Sequence, residues 1–232
     1  MYIYVTESIE TSETTTAAVE WNELDEFQEL PSREEWRLPR HDDLAQVRDI
    51  HDDPIDSDRI VAGVEVGGVH VSTDDGQTWI ERANGVDDDV HELNVIGPEK
   101  YVAATGHGLY RTNDAGRSWR RLDQAVPQSY FRSAISIGEN VYASGALSNS
   151  SSWDDEDADP ALFVCRDGSL EPINIPNADE TVTGITAVDE NLIVATHRGN
   201  VFRRNAGHWD TVGEFSVPGQ LTGRYTPITS YS

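Results

Sequence analysis

Between Leu44 and Phe215 the chain alternates short apolar runs with clusters of Asp, Asn, Gly and Pro, and the runs come in sets of four. The first set is AQVRDIHDD, RIVAGVEV, GGVHVSTDDG and TWIERANG. Runs of roughly 4–8 residues rich in Val, Ile and aromatics, bounded by turn formers, predict strands, not helices. The order returns as DDVHELNVIG, KYVAATG, HGLYRTNDAG and SWRRLDQA. A third unit, YFRSAISIG and NVYASGA, is interrupted by LSNSSSWDDEDADP and resumes as ALFVCRDGSLEPINI. A fourth reads TVTGITAVD, NLIVATHRG, NVFRRNAG and HWDTVGEF. The pattern predicts an all-β protein built of four-stranded antiparallel units at residues 44–83, 86–125, 128–176 and 180–215, within a single domain spanning 1–232. Residues 1–40 open on YIYVT and reach AAVEWNELDEF, which reads either as a strand ending at Trp21 or as a short helix, so this segment is expected to be an incomplete unit. Residues 216–232 offer one more strand, from Gln220 to Ile228.

The third and fourth strands of the first unit are joined by STDDGQTW, Ser72 to Trp79, which returns as TNDAGRSW, Thr112 to Trp119. Asp74 and Asp114 can accept backbone N–H bonds, Gly76 and Gly116 supply a positive φ, and Ser72, Thr78, Thr112 and Ser118 add hydroxyl bonds across the turn. Trp79 and Trp119 then restart the apolar pattern, with indoles expected to fold under the turn and pair their N–H groups. A worn copy is expected at Asn205, Gly207 and Trp209. Calcium ligation by Asp74 or Asp75 is disfavoured, because an EF-hand-like loop spreads its oxygen ligands over about twelve residues.

This S-x-D-x-G-x-T-W turn resembles the Asp-box, or BNR repeat, of β-propellers in sialidases, sortilin-type receptors, certain cellulose-active hydrolases and a photosystem II assembly factor. The resemblance implies a β-propeller of four-stranded antiparallel blades. About five are expected: four recognisable, and one shared by the two ends of the chain, closing the ring and removing exposed sheet edges. It also implies that the Asp-box turns face away from the ligand-binding rim.

Charge changes the picture next. Asp and Glu number 42 against 17 basic residues, a net charge of −25, and Lys100 is the one lysine. At molar salt the Debye length falls to about 3 Å, so such a surface is screened yet stays solvated, and a salt-loving source is expected. Nucleic acid is excluded as a partner, because phosphate binding needs a basic stripe and the sequence has none. Cys165 stands alone and reads as a small buried hydrophobe. With no apolar run near the roughly 18 residues of a membrane span and no basic-then-apolar leader, the expected location is cytoplasmic.

If the blades run down, up, down, up from the channel outward, the start of each first strand shares one rim with the loop between second and third strands. Aligning V-R-D-I, V-H-E-L, F-R-S-A and V-T-G-I places Arg48, His91, Arg132 and Thr183 at equivalent rim positions. Converging guanidinium groups there can hold a carboxylate or phosphate; the plainer reading pairs Arg48 with Asp49 and His91 with Glu92. Glu65, His107, His197 and Arg198 are the remaining rim candidates. Trp153, in the acidic interruption, is either an exposed contact residue or a pin for its loop. No metal triad has persuasive spacing, and no cofactor is expected. A sialidase-type hydrolase would use three arginines, a Tyr/Glu pair and an aspartate, usually with an F/Y-R-I-P motif, of which Tyr130-Phe131-Arg132-Ser133 is a faint echo. The expected function is therefore a non-catalytic scaffold for a protein or a small anionic or carbohydrate ligand, with a sialidase-like hydrolase or carbohydrate-binding protein as the alternative.

Overall fold

The computed structural model describes residues 4–9, 18–39, 42–217 and 228. Two strands, β1 (Tyr4–Ile9) and β2 (Ala18–Glu23), pair antiparallel as a sheet of their own. A short helix α1 (Asp25–Gln28) and a 3-10 turn (Arg33–Glu35) follow. The first blade comprises β3 (Gln46–Asp52), β4 (Ile60–Glu65), β5 (Gly68–Ser72) and β6 (Ile80–Glu81). The second has β7 (Val90–Gly97), β8 (Lys100–Thr105), β9 (Gly108–Thr112) and β10 (Arg120–Arg121). The third has β11 (Tyr130–Ile137), β12 (Asn140–Ala146), β13 (Ala161–Arg166) and β14 (Ser169–Ile173), and the fourth β15 (Val182–Val188), β16 (Asn191–Thr196), β17 (Asn200–Asn205) and β18 (His208–Glu214). Each blade is a four-stranded antiparallel sheet in chain order, and the first strands β3, β7, β11 and β15 lie beside one another in sequence. The chain is an all-β propeller.

The middle strands read as nearly unbroken apolar runs because they are covered on both faces. Side chains alternate across a strand, so on β4 Val61 enters the core between the first and second blades while Ile60, Ala62 and Val64 enter the cluster on the opposite face. On β8, Tyr101 and Ala103 face the first blade, and Val102 and Ala104 face the third. On β13, Phe163 and Cys165 face the second blade, Leu162 and Val164 the fourth.

Among the described residues, no four-stranded sheet precedes the outer face of the first blade. Residues 24–39 cover it instead: Phe27, Leu30 and Trp36 are buried there with Ala62, Val64 and Trp79. Phe27 meets Trp79 edge-on at 4.8 Å, and Trp36 lies 4.7 Å from the buried ring of His70. The expected strand from Gln220 to Ile228 lies outside the described residues, Ile228 apart.

Blades one and two differ from three and four at the turn between third and fourth strands. In the first, Ser72 Oγ takes the Gly76 N–H at 2.8 Å, and Asp74 accepts from Thr78 N at 2.8 Å and Thr78 Oγ1 at 2.6 Å. In the second, Thr112, Asp114, Gly116 and Ser118 repeat those bonds at 3.0, 2.9 and 2.6 Å. Asp75 and Ala115 occupy positive φ just before Gly76 and Gly116, and their N–H groups bond to the first-to-second-strand hairpin at Asp58 and Glu99. Blades three and four instead use two-residue hairpins, Asp167-Gly168 and Ala206-Gly207, with positive φ at both positions. The expected worn copy at Asn205 and Gly207 is thus a plain hairpin.

Candidate functional site

The four aligned rim positions share a backbone feature. Ladder pairing skips one residue in every first strand, between Val47 and Asp49, Val90 and Glu92, Phe131 and Ser133, and Val182 and Gly184. Arg48, His91, Arg132 and Thr183 are therefore the bulged residues, and a bulge re-aims the side chain it carries. Three of the bulges are linked. Arg48 forms an ion pair with buried Glu65. His91 bonds through Nδ1 to the carbonyl of Phe131 at 2.7 Å and lies 3.5 Å through Nε2 from Asp89 Oδ1. Arg132 Nη1 donates to the His91 carbonyl at 3.1 Å. Glu65 ends β4 and Asp89 precedes β7, and an isolated bridge holds these two together on the rim. Arg48 thus pairs with Glu65 at the end of β4, and the His91 ring faces Asp89.

The other rim candidates lie elsewhere. His197 and Arg198 come together over Asp154 in the long third-blade loop, each 3.4 Å from Asp154 Oδ1, and Arg198 also bonds Asp179 at 2.5 Å. His197 is buried, its Nδ1 accepting the Thr181 N–H at 3.0 Å, and burial lowers its pKa. His107 is well exposed and faces Asp87 at 3.4 Å. Trp153 is buried, donates to the Ser148 carbonyl at 3.1 Å, and stands between Tyr130 and His197. It pins its loop.

Below the bulges the acids are blade staples. Asp49 accepts from Leu93 N of the next blade at 3.0 Å, and His51 lies 3.0 Å from its other oxygen, which raises the His51 pKa. Glu92 takes the equivalent place one blade on, beside Ser133 and Ala134. Burial pushes Glu92 up to about 7, helped by the charge of Asp49.

The opposite face, which carries the Ser72–Trp79 and Thr112–Trp119 turns, holds a feature the sequence reading missed. A cleft of about 470 Å³ between the second and third blades is lined by Arg111, Arg120, Arg166, Glu139, Cys165 and Asp167 among others. Arg111 on β9 is the direct ladder partner of Arg120 on β10. Arg120 donates to the Gly168 carbonyl at 2.9 Å and Arg111 to Asn113 Oδ1 at 3.3 Å; among the described residues neither makes an ion pair. Arg166 pairs with Glu171 at 2.7 Å. Burial raises the Cys165 thiol pKa, so it is not a reactive thiolate. Continuing the hairpin register across the TNDAGRSW turn, which sets Arg111 opposite Arg120, was the signal that would have found this cleft.

No family model matches the chain, and no curated protein matches it. Solved structures match in fold. An ancestral GH74 enzyme superposes with a TM-score of 0.56 and 18% identity, over 72% of this chain and 24% of its own. YCF48 bound to a D1 peptide gives 0.51 and 18%, over 72% of this chain and 53% of its own. PorZ, a surface component of the type-IX secretion system of Porphyromonas gingivalis, gives 0.59 and 13%, over 93% of this chain and 26% of its own. The chain thus spans between 24% and 53% of the length of these three. At such identities the likeness shows the fold alone, a β-propeller.

Proposed function

We propose that the protein is a non-catalytic binding scaffold, an Asp-box propeller suited to high salt, which grips an anionic group of a partner or small ligand in the cleft between its second and third blades. One observation carries this reading: Arg111 and Arg120 stand directly opposite each other, without an ion pair among the described residues, on a chain of net charge −25. Like charges across a ladder repel, and here 42 acidic residues were available to relieve them. A carboxylate or phosphate between the two guanidinium groups relieves the repulsion and receives forked hydrogen bonds. The rim arginines suit this role less well, since Arg48 is engaged by Glu65 and Arg132 by a backbone carbonyl. A structural neighbour, YCF48, is bound to a D1 peptide, which supports reading a propeller of this kind as a peptide holder.

The test is fluorescence anisotropy of a labelled acidic peptide, with inorganic phosphate as competitor, at several salt concentrations. Arg111→Ala combined with Arg120→Ala should weaken binding at least about tenfold, the effect of losing a charged hydrogen-bonded contact. Equal binding by the double variant overturns the proposal.

A glycoside hydrolase is the second reading, favoured by Glu92, whose pKa of about 7 suits a general acid, beside the carboxylate of Asp49. Asp49 is already bonded to the Leu93 N–H of the following blade. If reducing sugar were released from a β-glucan by the protein and not by Glu92→Gln, this second reading would replace the first.

A further inference from the structure

The geometry points to a divalent-cation site on the rim, formed by Glu65, Asp89 and His91, and we propose that it takes a first-row transition ion such as Zn²⁺. One ligand atom from each of the three lies within 4.8 Å of the other two. The donors come from both blades, Glu65 from the end of β4 and Asp89 and His91 from the start of the second blade, so a bound ion would clasp the two together.

His91 carries the argument. Its ring is buried, with only 4% of the side chain exposed, under Tyr130 at 4.6 Å. A carbonyl cannot donate, so the 2.7 Å contact with Phe131 O fixes the proton on Nδ1. That tether leaves Nε2 aimed at the acids, and among the described residues Nε2 has no hydrogen-bond partner. Nδ1–H on a backbone carbonyl with Nε2 on the ion is the usual arrangement of a metal-binding histidine. The distance from Nε2 to Asp89 Oδ1, 3.5 Å, is long for a hydrogen bond. It matches the separation of two donors each about 2.1 Å from a tetrahedral ion, which is about 3.4 Å.

The surroundings hold the acids in place. A Cβ at Gly106 would lie 2.3 Å from Asp89 Oδ2, so the lack of a side chain there makes room for that carboxylate. Arg48 pairs with one oxygen of Glu65 and orients the group. Among the described residues, two carboxylates and one guanidinium leave one net negative charge beside the imidazole, which favours a dication. One imidazole among the donors selects Zn²⁺ or its neighbours over Mg²⁺ and Ca²⁺. Three protein ligands leave a fourth position open to water or to a ligand's oxygen.

The test is calorimetric titration of Zn²⁺ into chelator-treated protein in molar NaCl, with Co²⁺ absorption as a second readout. Saturable uptake of one ion per chain is expected, with no comparable response to Mg²⁺ or Ca²⁺. His91→Ala and Asp89→Asn should each weaken it at least about tenfold and abolish the Co²⁺ bands. His107→Ala, on the same rim, should leave both unchanged. Circular dichroism shows whether His91→Ala folds, and where it does not, Asp89→Asn alone decides. No saturable uptake up to about 1 mM Zn²⁺, or uptake unchanged in Asp89→Asn, overturns the proposal.

Discussion

The two faces of this propeller treat their acids in opposite ways. On the face of the long turns, Asp114 accepts three hydrogen bonds within its own loop, from Ser118 N, Ser118 Oγ and Thr112 Oγ1. Those bonds favour the ionised form and hold its pKa down to about 2. Toward the channel, burial outweighs the opposing influence of neighbouring Ser133 and Arg132 and raises Glu92 to about 7. The same chemical group is thus a local fastener at one site and a strained staple at the other, and solvent access makes the difference. The turns close on residues four positions apart or fewer, so they tolerate water; the staples and the Glu65–Asp89–His91 cluster join separate blades.

The largest effect should come from the long-turn face, and it tests whether the two turns are equivalent. Trp79 is buried against Phe27 and its indole donates to its own Gly76 carbonyl at 3.1 Å. Trp119 is half-buried and donates across the blade boundary to the Arg82 carbonyl at 2.8 Å, as Trp209 does to Asn174 at 2.7 Å. Trp79→Ala should lower stability by about 3–5 kcal/mol, as full loss of a buried aromatic does. Trp119→Ala should cost roughly half of that. Equal losses in urea unfolding would mean that the sequence repeat, and not the neighbour each indole meets, sets its contribution.

Next in size is the staple. Glu92 binds a proton in the folded state up to a pH of about 7, whereas its ordinary value is 4.5. Stability from this group is therefore fully present below pH 4.5, falls as the pH rises toward 7, and stays low above it. Glu92→Gln keeps the hydrogen-bonding shape without the charge. It should stabilise the protein at pH 8 by roughly 2 kcal/mol and flatten the unfolding midpoint between those two values. An unchanged pH profile would show that water reaches Glu92 and would remove the contrast between the faces.

Much of this was legible in the sequence because periodicity and turn chemistry are local. The alternation in IVAGVE, the Asp-Gly and Asn-Gly turn signals, and the repeat of Ser72–Trp79 at Thr112–Trp119 are each complete within a few residues. The alignment of Arg48, His91, Arg132 and Thr183 also emerged from the repeat, and all four proved to be bulges. What each bulge touches was not legible. The partner of Arg48 is seventeen residues away across a hairpin, and that of His91 is forty residues away on the next blade. Adjacent acids looked sufficient, yet strand geometry sends Asp49 and Glu92 to other work. Residues 24–39 show the same limit: Phe27 and Trp36 sit among acidic residues, and their burial follows from packing against the first blade, far along the chain.

The smallest effect separates the faces most directly. Asp114 is held at about 2, below its ordinary 3.8, so its contribution is fully present above pH 3.8 and is lost as the pH falls through 2. Asp114→Asn should leave the unfolding midpoint at pH 7 almost where it was, because the amide oxygen still accepts from the loop and water screens the exposed charge. Between pH 4 and pH 2 the variant's midpoint should fall less steeply than that of the parent protein, while the decline between pH 4.5 and 7 belonging to Glu92 persists. Measured in the Glu92→Gln background, Asp114→Asn should therefore remove what acid dependence remains from this pair of groups, and the two changes should add, since they lie in different parts of the blade. Non-additive profiles would mean that the turn and the staple communicate through the second blade, and the faces would have to be treated as one electrostatic unit.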